Sequence, residues 1–125
     1  MKYIMKIRIP NESGNIRIKD PQFGMKMKEI LTEVKAEAAY FGTICGSRGC
    51  YAVVNMDDAS QMPAIAEPFF SWLQAEIDFI PVMTLEDLGK AGASIEAVSR
   101  NPSISTSLVK MDRFNIREFL LYQLV

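Results

Sequence analysis

Residues 3–9, YIMKIRI, set apolar Tyr3, Met5, Ile7 and Ile9 against a face carrying Lys6 and Arg8, the period-two pattern of a β-strand that Pro10 ends. The next stretch, NESGNIRIKDP, has turn residues at both ends and predicts a loop, with a short extended piece at Ile16 to Ile18. A loop of that length is unusual in a compact domain and suits a cover over a site or an edge. From Phe23 the apolar positions Phe23, Met27, Ile30, Leu31 and Val34 recur at helical spacing, with Lys28, Glu29, Glu33 and Lys35 outside. Two β-rich runs follow, AYFGTIC at 39–45 and CYAVVNM at 50–56, and the GSRG between them predicts a hairpin.

Asp57 and Asp58 are suited to cap the next helix, whose inner face is Ile65, Phe69, Trp72 and Leu73. Pro63 fits its first turn, whereas Pro68 removes a backbone donor and predicts a kink. A fourth strand is expected from Glu76 to Met83. Thr84 with Asp87 then makes a capping-box start for a helix reaching about Val98. The order βαββαβ is that of an α+β, ferredoxin-like fold, an antiparallel sheet with both helices on one face. Its other face is left bare, and packing it against a second copy is the simplest way to hide it, so a homodimer is expected.

With GSRG as a four-residue loop, Cys45 lies opposite Cys50 and the pairing continues to Tyr40 with Asn55. Alternation then puts Tyr40, Gly42, Ile44, Tyr51, Val53 and Asn55 on one side, and Phe41, Thr43, Ala52, Val54 and both cysteines on the other. The second side is the more uniformly apolar and is expected to carry the helices. The first gathers Tyr40, Tyr51 and Asn55 with Lys6 and Arg8 of the first strand and Asp78 of the fourth, if those strands are phased alike.

The chain has 125 residues, enough for one core, and is read as a domain over 1–98 with a linker and appendage over 99–125. In the appendage a helix is expected from about Asp112, with Phe114, Phe119, Leu120 and Leu124 on its buried face. Charge is balanced, 14 basic against 15 acidic side chains, so neither nucleic acid nor an anionic membrane is favoured as a partner. Lys6 and Arg8 interrupt any secretory apolar core and no stretch approaches a membrane span, which points to the cytoplasm. There two cysteines stay reduced as a rule, although opposed strand residues remain open to a labile disulfide.

The count of His is 0, which removes the commonest general base and the commonest metal ligand. Two cysteines alone do not make a zinc site, and neither a metal nor another cofactor is expected.

MKYIMKIRIP, EVKAEAAYF and RGCYAVVNMDDASQMPAIAEPFFSWLQAEIDFIPVMTLEDLGKAG together resemble a small, functionally uncharacterised bacterial family of dimeric α+β barrel proteins. The resemblance covers about residues 1–98 and is most specific from Val53 to Gly92. The wider superfamily it is similar to includes muconolactone isomerases, cofactor-free antibiotic-biosynthesis monooxygenases, haem-degrading monooxygenases and stress-responsive barrel proteins. The resemblance implies a dimer and a ligand-sized cavity, between sheet and helices or inside the dimer barrel, without implying a reaction. Absence of histidine weakens the haem-degrading branch.

Two functions follow. One is a cofactor-independent isomerase or monooxygenase-like enzyme acting on a small aromatic or anionic metabolite. Asp78 or Tyr51 would then handle protons and Arg8 or Lys6 would hold an anion. The other is a noncatalytic, ligand-sensing or accessory dimerisation module. In both, Lys6, Arg8, Tyr40, Tyr51, Asn55 and Asp78 are the candidate binding residues.

Overall fold

A computed structural model of the chain describes residues 1–103, so the expected helix from Asp112, with Phe114, Phe119, Leu120 and Leu124, lies outside the described residues. A first compact unit spans Met1–Met83 and a second begins at Thr84. The first unit runs β1 (Lys2–Ile9), α1 (Asn11–Arg17), α2 (Phe23–Glu33), β2 (Ala38–Ile44), β3 (Ser47–Asn55), a 3-10 turn (Ala59–Gln61), α3 (Met62–Leu73) and β4 (Glu76–Val82). In the second, α4 (Leu85–Lys90) and α5 (Gly92–Ser99) follow.

The strands form one antiparallel four-stranded sheet in the order β2-β3-β1-β4, the arrangement of a ferredoxin-like α+β fold. One face carries the core. Met5, Ile7 and Ile9 of β1 and Cys50, Ala52 and Val54 of β3 pack against Met27 and Ile30 of α2 and Phe69, Trp72 and Leu73 of α3. Met5, Ile7, Cys50, Phe69 and Leu73 are wholly removed from water. Each large side chain so buried contributes roughly 1.5–3 kcal/mol, which makes this layer the main source of stability.

Residues 11–17 form a helix, not the expected loop. Asn, Ser and Gly give that segment poor intrinsic helicity, and tertiary context overrides it. The Gly14 amide closes the first turn on Pro10 O at 2.8 Å, and the tertiary tie is that of buried Ser13 Oγ, which donates to Leu73 O at 2.6 Å and holds α1 to the end of α3.

The hairpin also differs from expectation. Ile44 pairs with Ser47, so the turn is Cys45–Gly46 rather than GSRG, and both turn residues have positive φ, 48° and 78°. Those are the signs of a type I′ turn, whose twist matches the flanking strands. Cys45 therefore does not oppose Cys50, whose partner is Phe41. Both thiols are free, one exposed in the turn and the other buried under the helices.

Gly49, which the sequence reading placed in the turn, is a strand residue beneath the Ile44 side chain. A Cβ there would lie 2.4 Å from Ile44 Cγ1 and Cδ1. Because the register is displaced from the expected one by an even number of residues, the residues that stay in the strands keep their predicted faces, whereas Cys45, expected on the helix-covered face with Cys50, leaves the sheet for the turn.

α3 continues through Pro68 to Leu73 and ends at Gln74, in the left-handed region at φ 52°. Asp58 caps the 3-10 turn in a capping box with Gln61, and Thr84 caps α4 in one with Asp87. The single helix expected up to Val98 is instead divided at Ala91 into α4 and α5.

Candidate functional site

The face of the sheet opposite α1, α2 and α3 is built of cross-strand rows. Tyr40 pairs with Tyr51, Tyr51 with Lys6, and Lys6 with Asp78, so these four predicted residues stand in one line across all strands. The adjoining line is apolar: Ala38, Val53, Ile4 and Ile80. On the other side come Gly42, Gly49, Arg8 and Glu76, and beyond the apolar line Asn55, Lys2 and Val82. All six predicted binding residues thus share one face, and four of them share one row.

The six separate by what their side chains already hold. Arg8 Nη1 donates to Glu76 Oε2 at 2.9 Å and Nη2 to Ser47 Oγ at 3.0 Å, while its buried Nε has no acceptor. Asn55 Nδ2 donates to Glu37 Oε1 at 2.5 Å, and Lys2 Nζ meets the other carboxylate oxygen at 2.6 Å. Lys2 foremost, with Asn55, holds the Glu37 carboxyl below its ordinary range, because both hydrogen bonds favour the ionised form.

In the central row, Lys6, Tyr40, Tyr51 and Asp78 make no side-chain hydrogen bond or ion pair among the described residues. Tyr40 is 67% exposed and Tyr51 38%. Lys6 and Asp78 face one another across β1 and β4, offering a donor and an acceptor whose capacity is unspent.

Cavities that border the first unit include ones of ≈ 420, ≈ 660 and ≈ 210 Å³. The first lies between α2 and the edge strand β2, walled by Phe23, Met27, Leu31, Ala39 and Phe41. Asn55 lines the second, with Asp57, Gln61 and the end of α2, and the third lies beside α1. The central row lines none of these three, and among the described residues its Tyr40 and Tyr51 are exposed.

On the covered face, burial pushes the Cys50 thiol up to about 11, so the residue stays a protonated, apolar filler at neutral pH. The described residues contain no group of three or more potential ligands placed to hold a metal ion, and no helix long and apolar enough to cross a membrane.

The sequence reading missed the apolar row, in which Ile4 and Ile80 flank Lys6 and Asp78, and the acceptors that engage Arg8 and Asn55. The alternation in YIMKIRI places Ile4 on the open face. Nothing short of the strand register reveals that Glu76 reaches Arg8.

No curated protein matches the sequence. The family model described as "Domain of unknown function (DUF3303)" matches residues 1–96, most of the chain and all of the sheet, and the chain belongs to that family.

Proposed function

We propose that the chain works as a cytoplasmic, small-molecule-binding homodimer of the dimeric α+β barrel kind, with the ligand held between two open sheet faces. What carries this reading is the central row. Four polar side chains of complementary type stand unengaged beside an apolar line, on a face that α1, α2 and α3 leave to solvent. Sites for small molecules combine apolar walls with a few convergent polar groups. A second copy of the same face would supply the opposite wall.

Within the row, Lys6 provides the charge for an anionic group, and Tyr40 and Tyr51 provide flat aromatic surface and hydroxyls. Asp78 orients a donor on the ligand. Arg8 is committed to Glu76 and Ser47 and Asn55 to Glu37, so these two support the ends of the face and Lys6 is the anion-holding group. Asp78 and Tyr51 are also the groups that would move protons on a bound compound, so turnover of that compound would extend the reading to a cofactor-independent enzyme.

Native mass spectrometry of the purified protein is the direct test, since it reports subunit number and any compound carried along. The expected result is a dimer that binds benzoate more tightly than benzylamine, a preference that Lys6→Gln abolishes while the dimer persists. Dispersal to monomers by Lys6→Gln with no change in anion affinity would assign the row to the interface alone.

A further inference from the structure

The helix layer carries a recess of its own at one end. The cavity of ≈ 210 Å³ beside α1 is lined by Glu12, Ile16 and Arg17 of α1 and by Trp72 and Gln74 at the end of α3. Trp72 is the only tryptophan of the chain and is almost wholly buried, with the Phe23 ring of α2 packed on it at a centroid distance of 5.2 Å. Lys26 Nζ stands 5.2 Å from the indole centroid, an attraction that favours its staying beside the recess. Gln74 takes the left-handed cap position, φ 52°, that glycine or asparagine usually fills, so an amide side chain lines the recess where a cap alone needs none.

Charge and exposure set the surroundings apart. Ile16, Ile18 and Met25 are all exposed, Ile16 at 66% and Met25 at 69%, and each is followed in the chain by a cation: Arg17, Lys19 and Lys26. Against these cations the segment from Ile16 to Lys26 has only Asp20, whose carboxylate accepts the Gln22 amide at 2.9 Å. Arg17, Lys19 and Lys26 make no ion pair or side-chain hydrogen bond among the described residues. In a chain of net charge -1 this is a local excess of unpaired positive charge. Exposed apolar side chains bordered by such charge mark an interaction surface.

We propose that this end of the helix layer docks an acidic segment of another protein, which seats one apolar side chain against Trp72 and lays flanking carboxylates on Arg17, Lys19 and Lys26. The recess has room for a single large side chain, and pockets filled by such anchors are where binding energy concentrates. That concavity also selects a peptide over an anionic bilayer, which needs no pocket. The chain itself is the poorer source of the segment. Glu86 and Glu96 are paired with Lys90 and Arg100, and residues 104–125 carry Lys110, Arg113 and Arg117 against Asp112 and Glu118. Lined by α1 and α3, the recess neither uses nor competes with the open face of the sheet.

The test uses the full chain and reads Trp72 emission, which no other tryptophan obscures. Its probes are a peptide of glutamates around one central phenylalanine, the same peptide with serine for phenylalanine, the same with glutamine for every glutamate, and phosphatidylserine vesicles. Expected is a saturable change in emission with the first peptide, weakened by salt and matched by the anisotropy of a labelled copy. The serine and glutamine peptides should bind at least about tenfold more weakly. Arg17→Glu should weaken the first peptide about tenfold, since it sets like charges against each other. Lys90→Glu changes the net charge equally in the second unit and should alter affinity less than about twofold. Circular dichroism checks that both variants keep the fold.

Equal affinity for the serine peptide would mean a charged surface without an anchor site and overturns the proposal. So does a loss in Lys90→Glu as large as that in Arg17→Glu, which would report overall charge alone. A response to vesicles but to none of the peptides assigns the patch to a membrane surface, and silence to every probe leaves no docking site. Either result overturns the proposal.

Discussion

The two faces of the sheet use the same strands for opposite ends. On the helix side Met5, Ile7, Cys50, Ala52 and Val54 are fully buried. One residue away along each strand, Lys6, Tyr51 and Asp78 stand on a face open to solvent with their polar groups unspent. Alternation along β1 and β3 is thus the device that separates stability from binding. A change on one face should cost folding, and its neighbour on the other should cost recognition.

The strongest challenge to that separation is a matched pair of truncations. Phe69→Ala should cost about 3–5 kcal/mol in denaturant unfolding through the cavity it leaves, while Tyr51→Ala, on the other side of the same sheet, should stay within about 0.5 kcal/mol. Comparable losses would erase the distinction between the faces. Gly49→Ala tests a point where the open face is itself tightly packed. The new methyl would collide with Ile44, and overpacking of that kind should cost about 1–3 kcal/mol, relieved in the double variant with Ile44→Ala. No relief would mean that the strain lies elsewhere.

Alkaline pH tests the covered face by another route. The folded Cys50 thiol is pushed up to about 11, above its value in the unfolded chain, so only the unfolded state gives up this proton readily. Its contribution is fully present below about pH 9 and is lost as pH rises toward 11. The difference in unfolding free energy between wild type and Cys50→Ala should therefore shrink over that window, and a constant difference would show a solvated thiol. The smallest effect concerns the rim that joins the faces. Cys45→Asn gives the type I′ turn its favoured Asn-Gly pair and should raise the melting temperature slightly, by a few tenths of a kcal/mol in stability. A fall would argue that Cys45 has a role in that turn.

Much of this arrangement was legible in the sequence because strand alternation is indifferent to register errors of an even number of residues. The expected pairing was displaced, yet Tyr40, Tyr51 and Asn55 still fell on the face of Lys6 and Arg8. The turn was misjudged because Gly46 and Gly49 are identical in sequence and differ only in φ and in what lies above them. The helix Asn11–Arg17 was hidden by its own turn-forming residues, since its hold on the fold is a bond from Ser13 to an oxygen far along the chain. The division of the long helix at Ala91 carried no proline to announce it. As for the candidate face, residue type revealed its members, but which of them were already occupied depended on Glu37, Glu76 and Ser47.

The Cys45–Gly46 turn has a kinetic meaning as well. With so short a connection the β2–β3 pair can zip on the ~1–10 μs timescale of isolated hairpins. β1, by contrast, must find β4, joining Lys6 to Asp78 across most of the intervening chain, at a loop-closure entropy that the local pair does not face. The ladder should therefore grow outward from the hairpin, with β1 added to the free side of β3 and β4 closing last. Mutations at the turn would then change the rate of folding, and mutations in β4 the rate of unfolding.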